Sequence, residues 1–253
     1  MTQTQTVKDV SAKEKLIVAL DVETAREARR VFDALRGEAG MFKVGSQLFT
    51  SAGPGLVREL VAAGARVFLD LKFHDIPNTV AAASREAARL GVALFNVHAA
   101  GGREMMRAAA DALAEESARL GTTGERARLI AVTVLTSADA STLEETGVSA
   151  PTVEAQVARL ARLAAESGLD GVVASPHEIS VVRQSVAPDG FIIVTPGVRP
   201  SSSAHDDQRR VMTPSAAVRA GADFIVMGRA ILKAPDPARA AREIIEEMEK
   251  AKQ

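Results

Sequence analysis

The feature that most narrows the fold of this chain is an alternation. A short run rich in Val, Ile, Leu and Phe is followed by a longer stretch of Ala, Arg, Glu and Leu, eight times over. The apolar runs predict strands over residues 16–21, 41–45, 67–71, 92–97, 129–135, 171–175, 191–195 and 224–227. Helical patterns fall at 24–35, 55–63, 79–90, 103–120, 152–167, 177–185, 214–220 and 237–250. Strands that are apolar nearly throughout belong to a parallel sheet buried on both faces. Eight such units in 253 residues predict an α/β fold of one domain, a (β/α)8 TIM barrel. A doubly wound open sheet is the competing arrangement, and no Gly-x-Gly-x-x-Gly follows the first strand to support it. Residues 1–12 read as a flexible polar tail and 13–253 as the barrel domain.

A barrel of this kind carries its active site at the C-terminal ends of its strands. Unusual polar residues collect there: Asp21, Lys43, Asp70 with Lys72, His98, Thr133 with Thr136, Ser175, Thr195-Pro196-Gly197 and Gly228-Arg229. The densest group is Asp70-Leu71-Lys72-Phe73-His74-Asp75-Ile76-Pro77-Asn78-Thr79, which sets acid, base and acid where an apolar run stops. Strand alternation puts Phe68, Asp70 and Lys72 on one face. Asp75 lies past the strand and is free to point elsewhere, even into another subunit. Taken alone, a lysine between two aspartates is usually a solvated patch, an Asp after a strand is often a helix cap, and a lone His is usually structural. Convergence on one rim is what argues for a site.

Two stretches point to phosphate. Gly228-Arg229 opens the segment after the last strand, where barrels bind phosphate through backbone N–H groups, and arginine adds a bidentate contact. The polar loop 197–208, with Arg199 near its start and Gln208 at its end, is longer than a plain connection needs. It is either a lid over an anion or a disordered insertion.

Composition excludes other classes. Lys plus Arg number 31 against 32 Asp plus Glu, a formal net charge of −1, so no global field favours nucleic acid or an acidic membrane surface. The chain has no cysteine, which removes disulfides, thiolate nucleophiles and Cys-ligated metals. No apolar run approaches a membrane span and the first residues lack a secretory core segment, so a cytoplasmic location is expected.

Taken together, Phe42-Lys43-Val44-Gly45, Asp70 to Thr79, Asn96-Val97-His98, Val134-Leu135-Thr136, Thr195-Pro196-Gly197-Val198-Arg199, Asp207-Gln208-Arg209-Arg210 and Val226-Met227-Gly228-Arg229 resemble, in order, the motifs of the orotidine 5′-phosphate decarboxylase family. The resemblance covers nearly the whole chain outside the tail. It implies conversion of orotidine 5′-phosphate (OMP) to UMP and CO2 in pyrimidine nucleotide biosynthesis, with no cofactor and no metal. By that resemblance Lys72 protonates C6 of the pyrimidine and Asp70 lies beside the departing carboxylate. Asp75 and Thr79 are supplied across a homodimer interface, so the charge array is Lys43, Asp70, Lys72 and a second copy's Asp75. Asp21 and Lys43 hold the ribose hydroxyls, and Thr136 meets the pyrimidine. Pro196 belongs with the substrate contacts at the seventh strand end, and Arg199, Gln208, Gly228 and Arg229 grip the phosphate. His98 is expected to supply a supporting hydrogen bond.

The chemistry fits these residue types. Loss of CO2 leaves an electron pair on a carbon that delocalises it poorly, so a fixed ammonium is needed to stabilise the charge and then donate a proton. Flanking carboxylates favour that ammonium. Two alternatives remain open from the sequence. One is a Mg2+-dependent sugar-phosphate decarboxylase or aldolase of the same superfamily, against which Lys43 stands where an acidic metal ligand would be needed. The other is a non-catalytic nucleotide-phosphate binding barrel, which would not require so dense a charge array.

Overall fold

The apolar runs form strands because they are covered on both sides. The computed structural model describes residues 10–121, 126–186, 190–200 and 212–252. Among them, β1 (Leu16–Ala19), β2 (Met41–Gly45), β3 (Val67–Phe73), β4 (Leu94–His98), β5 (Arg128–Val132), β6 (Gly171–Val173), β7 (Ile192–Thr195) and β8 (Phe224–Met227) are parallel and pair in sequence order. Pairing of β8 with β1 closes the barrel. The (β/α)8 expectation holds.

Alternation along each strand divides the core in two. Ile17, Met41, Phe68, Leu94, Ile130 and Phe224 point inward and fill the barrel floor. Their neighbours, such as Val18, Phe42 and Leu69, pack outward against the helices. The floor is a packed layer, so only the strand ends above it are open to a ligand.

The helices are α1 (Ala12–Lys15), α2 (Ala25–Leu35), α3 (Ser46–Ala62), α4 (Pro77–Arg89), α5 (Gly102–Arg119), α6 (Ala140–Glu145), α7 (Val153–Glu166), α8 (Ile179–Ser185), α9 (Pro214–Ala220), α10 (Arg229–Leu232) and α11 (Pro237–Glu249). Several of their starts follow capping chemistry. Thr24 and Glu27 form a reciprocal capping box at α2, and Asp236 accepts from the Arg239 N–H in front of Pro237 at α11.

Several boundaries differ from the sequence expectation. The helix expected at 55–63 begins at Ser46, because α3 is two helical segments joined at Gly53, whose φ of 67° breaks the ladder, with Pro54 opening the second. The strand expected at 129–135 ends at Val132, where the Thr133 hydroxyl donates to the Val173 carbonyl at 2.9 Å and the chain leaves the sheet. The strand expected at 67–71 instead continues to Phe73 through an irregular stretch at Asp70–Lys72. The fourth strand begins at Leu94, since Gly91, with φ 74°, and Val92 still belong to the turn after α4. Helices α1, α6 and α10 are too short to leave a periodic signature in the sequence.

The N-terminal face is tied by two similar clamps. Asp170 accepts from the Leu129 N–H at 2.7 Å and from Arg126 at 2.6 and 2.9 Å. Asp223 accepts from the Ile193 N–H at 2.7 Å and pairs with Arg183, which also donates to the Gly221 and Phe191 carbonyls. Each joins neighbouring strands at the end opposite the site, where a barrel invests in stability. Between them β6 approaches β7 so closely that a Cβ on Gly171 would lie 2.2 Å from the Ile192 carbonyl oxygen. Gly171→Ala is expected to push the two strands apart and destabilise the fold by about 2 kcal/mol. Urea unfolding checks this, and an unchanged midpoint would contradict the packing account.

Candidate active site

The first three strands deliver a chain of alternating charges to the rim. Asp21 follows β1, Lys43 lies in β2, and Asp70 and Lys72 lie in β3. Lys43 Nζ stands 3.2 Å from Asp21 Oδ1 and 3.4 Å from Asp70 Oδ2, while Lys72 Nζ donates to Asp70 Oδ1 at 2.7 Å. Asp70 is therefore held between two ammonium groups. A third donor is Asn96 on β4, whose Nδ2 reaches Asp70 Oδ1 at 2.7 Å.

Burial opposes the charged form of Asp70, yet Lys43, Lys72 and Asn96 together outweigh it and hold the carboxyl below the usual carboxylate range. Lys72 itself adopts φ 53°, the only positive φ of a non-glycine residue among the described residues. A left-handed lysine is strained by about 1–3 kcal/mol and persists only where its surroundings fix it, commonly in an active site.

Asp21, Lys43, Asp70 and Lys72 line one side of a cavity of about 1160 Å3 over the barrel mouth. Opposite them the wall is apolar, formed by Val132, Val173, Val194 and Val226. Thr136 and Pro196 line it, as do Arg199, Gly228 and Arg229 at the β7–β8 end. At Gly228 a Cβ would sit 3.1 Å from Asp21 Oδ2, a tight contact that the Asp21 side chain would have to yield to. The Arg199 N–H donates to the Met212 carbonyl at 3.2 Å, pinning the two feet of the long loop together. Gln208 lies outside the described residues.

Asp75 and Thr79 stand apart. Both are exposed and absent from the cavity wall, and Asp75 Oδ1 accepts from the adjacent Ile76 N–H at 2.6 Å. Ile76 beside it is 66% exposed, unusual for a large apolar side chain. Of the hydroxyls at the strand ends, Ser175 lines the cavity, whereas Thr133 is spent on Val173 and Thr195 is fully buried away from it. His98 stacks on His74 with ring centroids 5.5 Å apart, and its buried Nδ1 has no hydrogen-bond partner among the described residues. Burial, then His74 and Lys72, lower its pKa.

The sequence reading missed three groups. Lys233 and His177 line the cavity, and Lys233 follows Arg229 at the four-residue spacing of one helix face. Asn96 carried a signal too, since strand alternation places it inward with Leu94. Among the described residues no three His, Asp or Glu side chains are grouped as metal ligands.

A closed parallel barrel with its charges and a pair of arginines gathered at the C-terminal mouth defines a barrel enzyme for a phosphorylated, polar substrate. The chain belongs to the orotidine 5′-phosphate decarboxylase / HUMPS family, which it matches over residues 14–244. It is 55% identical over 237 residues to orotidine 5′-phosphate decarboxylase from Geobacter sulfurreducens, covering 94% of this chain and 97% of the relative. With the enzyme of that name from Moorella thermoacetica it shares 56% identity over 242 residues, 95% of this chain and 94% of the relative. The crystal structure of orotidine 5′-phosphate decarboxylase from Lactobacillus acidophilus superposes with a TM-score of 0.80 at 36% identity, covering 92% of this chain and 98% of that one.

The lowered Asp70 pKa has a pH consequence. Because the folded-state value lies below the unfolded value of about 3.9, ionisation of Asp70 contributes stability that is present above that pH and lost as pH falls through the folded-state pKa. Asp70→Asn lacks this contribution. The stability gap between wild type and Asp70→Asn, read by urea unfolding, is expected to be level near neutrality and to shrink in acid below about pH 4. A gap that persists unchanged to still lower pH would mean that Asp70 is not held ionised by its neighbours.

Proposed function

We propose that this protein decarboxylates orotidine 5′-phosphate to UMP and CO2, the UMP-forming step of pyrimidine synthesis. The observation that carries the reading is the ammonium of Lys72, fixed at 2.7 Å from the half-buried Asp70 carboxylate at one side of a cavity that Arg199 and Arg229 also line. The phosphate sits at Arg229, Arg199 and the backbone at Gly228, with Gln208 joining them. Asp21 and Lys43 take the ribose hydroxyls, and the pyrimidine lies between the valine wall and Lys72, near Thr136 and Pro196.

In the reaction the bond from C6 to the carboxylate carbon breaks, CO2 leaves, and the electron pair stays on C6. Lys72 stabilises that charge and transfers a proton from Nζ to C6, then regains one from solvent. Asp70 keeps Lys72 protonated and aimed. Binding energy from the remote phosphate orders the site before the bond breaks.

The active form is a homodimer. A cleft of about 240 Å3 beside the main cavity is lined by Asp21, Lys43, Asp70 and Lys72, which leaves room for Asp75 of a second copy to approach the two lysines. The exposed Ile76 is the apolar contact that such docking would cover. Thr79 of that copy reaches the ribose. No helix among the described residues is long and apolar enough to cross a membrane, and a cytoplasmic location fits the reaction.

Lys43 separates this reading from a metal-dependent one. Its ammonium lies between the Asp21 and Asp70 carboxylates, where it would repel a divalent cation drawn to the same pair.

Purified protein in EDTA is expected to convert OMP to UMP, seen as loss of the substrate's ultraviolet absorbance. An inert protein, or one active only with Mg2+, would overturn the proposal. Lys72→Ala is expected to lower kcat by at least about 10³-fold while UMP still binds by calorimetry. Retained turnover would show that another group supplies the proton. Mixing Lys72→Ala with Asp75→Asn, each inactive, is expected to restore part of the activity through hybrid dimers. Absence of recovery after verified subunit exchange would place Asp75 outside the partner's site.

A further inference from the structure

The pairing of β3 with β4 is broken at one place. Leu69 lies opposite Phe95 and Phe73 opposite Val97, so Asp70, Leu71 and Lys72 together face the single residue Asn96. Such a bulge removes ladder partners and leaves main-chain groups to be satisfied otherwise. Asn96 is 0% exposed, and its Oδ1 accepts from the Lys72 N–H at 2.8 Å while its Nδ2 donates to Asp70 Oδ1 at 2.7 Å. The orientation of the amide is fixed, because a main-chain N–H only donates and a carboxylate only accepts. One buried carboxamide thus holds the left-handed main chain of Lys72 and the carboxylate that binds the same residue's ammonium.

We propose that Asn96 is a positioning residue for the decarboxylation, setting the Lys72 ammonium relative to C6 without touching substrate. The inference rests on the decarboxylase reading above. An apolar residue of equal size would leave the Lys72 N–H without its acceptor and Asp70 with one donor fewer, and the lysine would relax from φ 53°. Small displacements of a reacting group are felt steeply, with about 1 Å costing on the order of 100-fold in rate.

The test uses the full chain and OMP turnover. Asn96→Leu is expected to lower kcat about 100-fold with KM altered by less than about threefold. Asn96→Asp keeps an acceptor for the Lys72 N–H but sets a carboxylate against Asp70, and it donates to Asp70 only when protonated. The titratable groups around it are Asp70 and Lys72 on β3, Lys43 on β2, His98 on β4 and His74 stacked on His98. All of these are present in wild type, so the kcat of Asn96→Asp relative to wild type at each pH reports the new carboxyl together with its coupling to Asp70. That ratio is expected to rise as pH falls, which a role in packing alone would not produce. A flat ratio, or Asn96→Leu with wild-type kcat, overturns the inference, and where Asn96→Leu fails to fold the ratio decides. An inert wild type in the same assay counts against the decarboxylase reading, whereas an active wild type beside unaffected variants counts against Asn96 alone.

Discussion

One carboxylate must stay charged in a place where charge is costly, and the rim of the barrel is arranged around it. Asp70 is largely withdrawn from water and would resist ionisation if left alone. Lys72 at 2.7 Å, Asn96 at 2.7 Å and Lys43 at 3.4 Å reverse that preference. Each of these donors comes from β2, β3 or β4, so the register of three neighbouring strands is what makes the site. A slip of one residue in any of them would turn its contributing side chain toward the helices.

The cavity is divided by the same topology. Strands β1 to β3 bring the charged groups, with the Asn96 amide behind them, β5 to β8 bring valines, and the turns after β7 and β8 bring the arginines. In the proposed reading the pyrimidine lies between these walls and the phosphate lies toward the arginines. In that reading the polar half carries the chemistry, and the valines offer the ring an apolar face.

Much of this was legible before any coordinates. The alternation of apolar runs and helical stretches pointed to a parallel sheet covered on both faces, and eight such units without a Gly-x-Gly-x-x-Gly after the first strand favoured the barrel over an open sheet. The rim residues Asp21, Lys43, Asp70 and Lys72 were legible because charge at the end of a buried strand needs a reason. Asn96 was overlooked because a neutral amide inside an apolar strand resembles a tolerated polar core residue, and its value appears only with the β3–β4 bulge. The helical start of α3 was hidden by Gly53-Pro54, which reads as a helix stop and is in fact a kink. Asp75 and Thr79 are a different case, since their proposed roles belong to an assembly and a single chain leaves them exposed.

The irregular stretch of β3 has a further consequence. Its strained lysine is not at a fraying end, because pairing resumes beyond it where Phe73 meets Val97. One pair closes the strand beyond it, and the strained N–H is held by the Asn96 carboxamide rather than by a ladder partner. The lysine's main chain is held by Asn96 and its ammonium by Asp70, and the same amide also binds Asp70, so the two ends of the residue are fixed through one buried group. Replacement by glycine would ease the backbone and remove the ammonium, so at this position relief of the strain and loss of the proton donor come together.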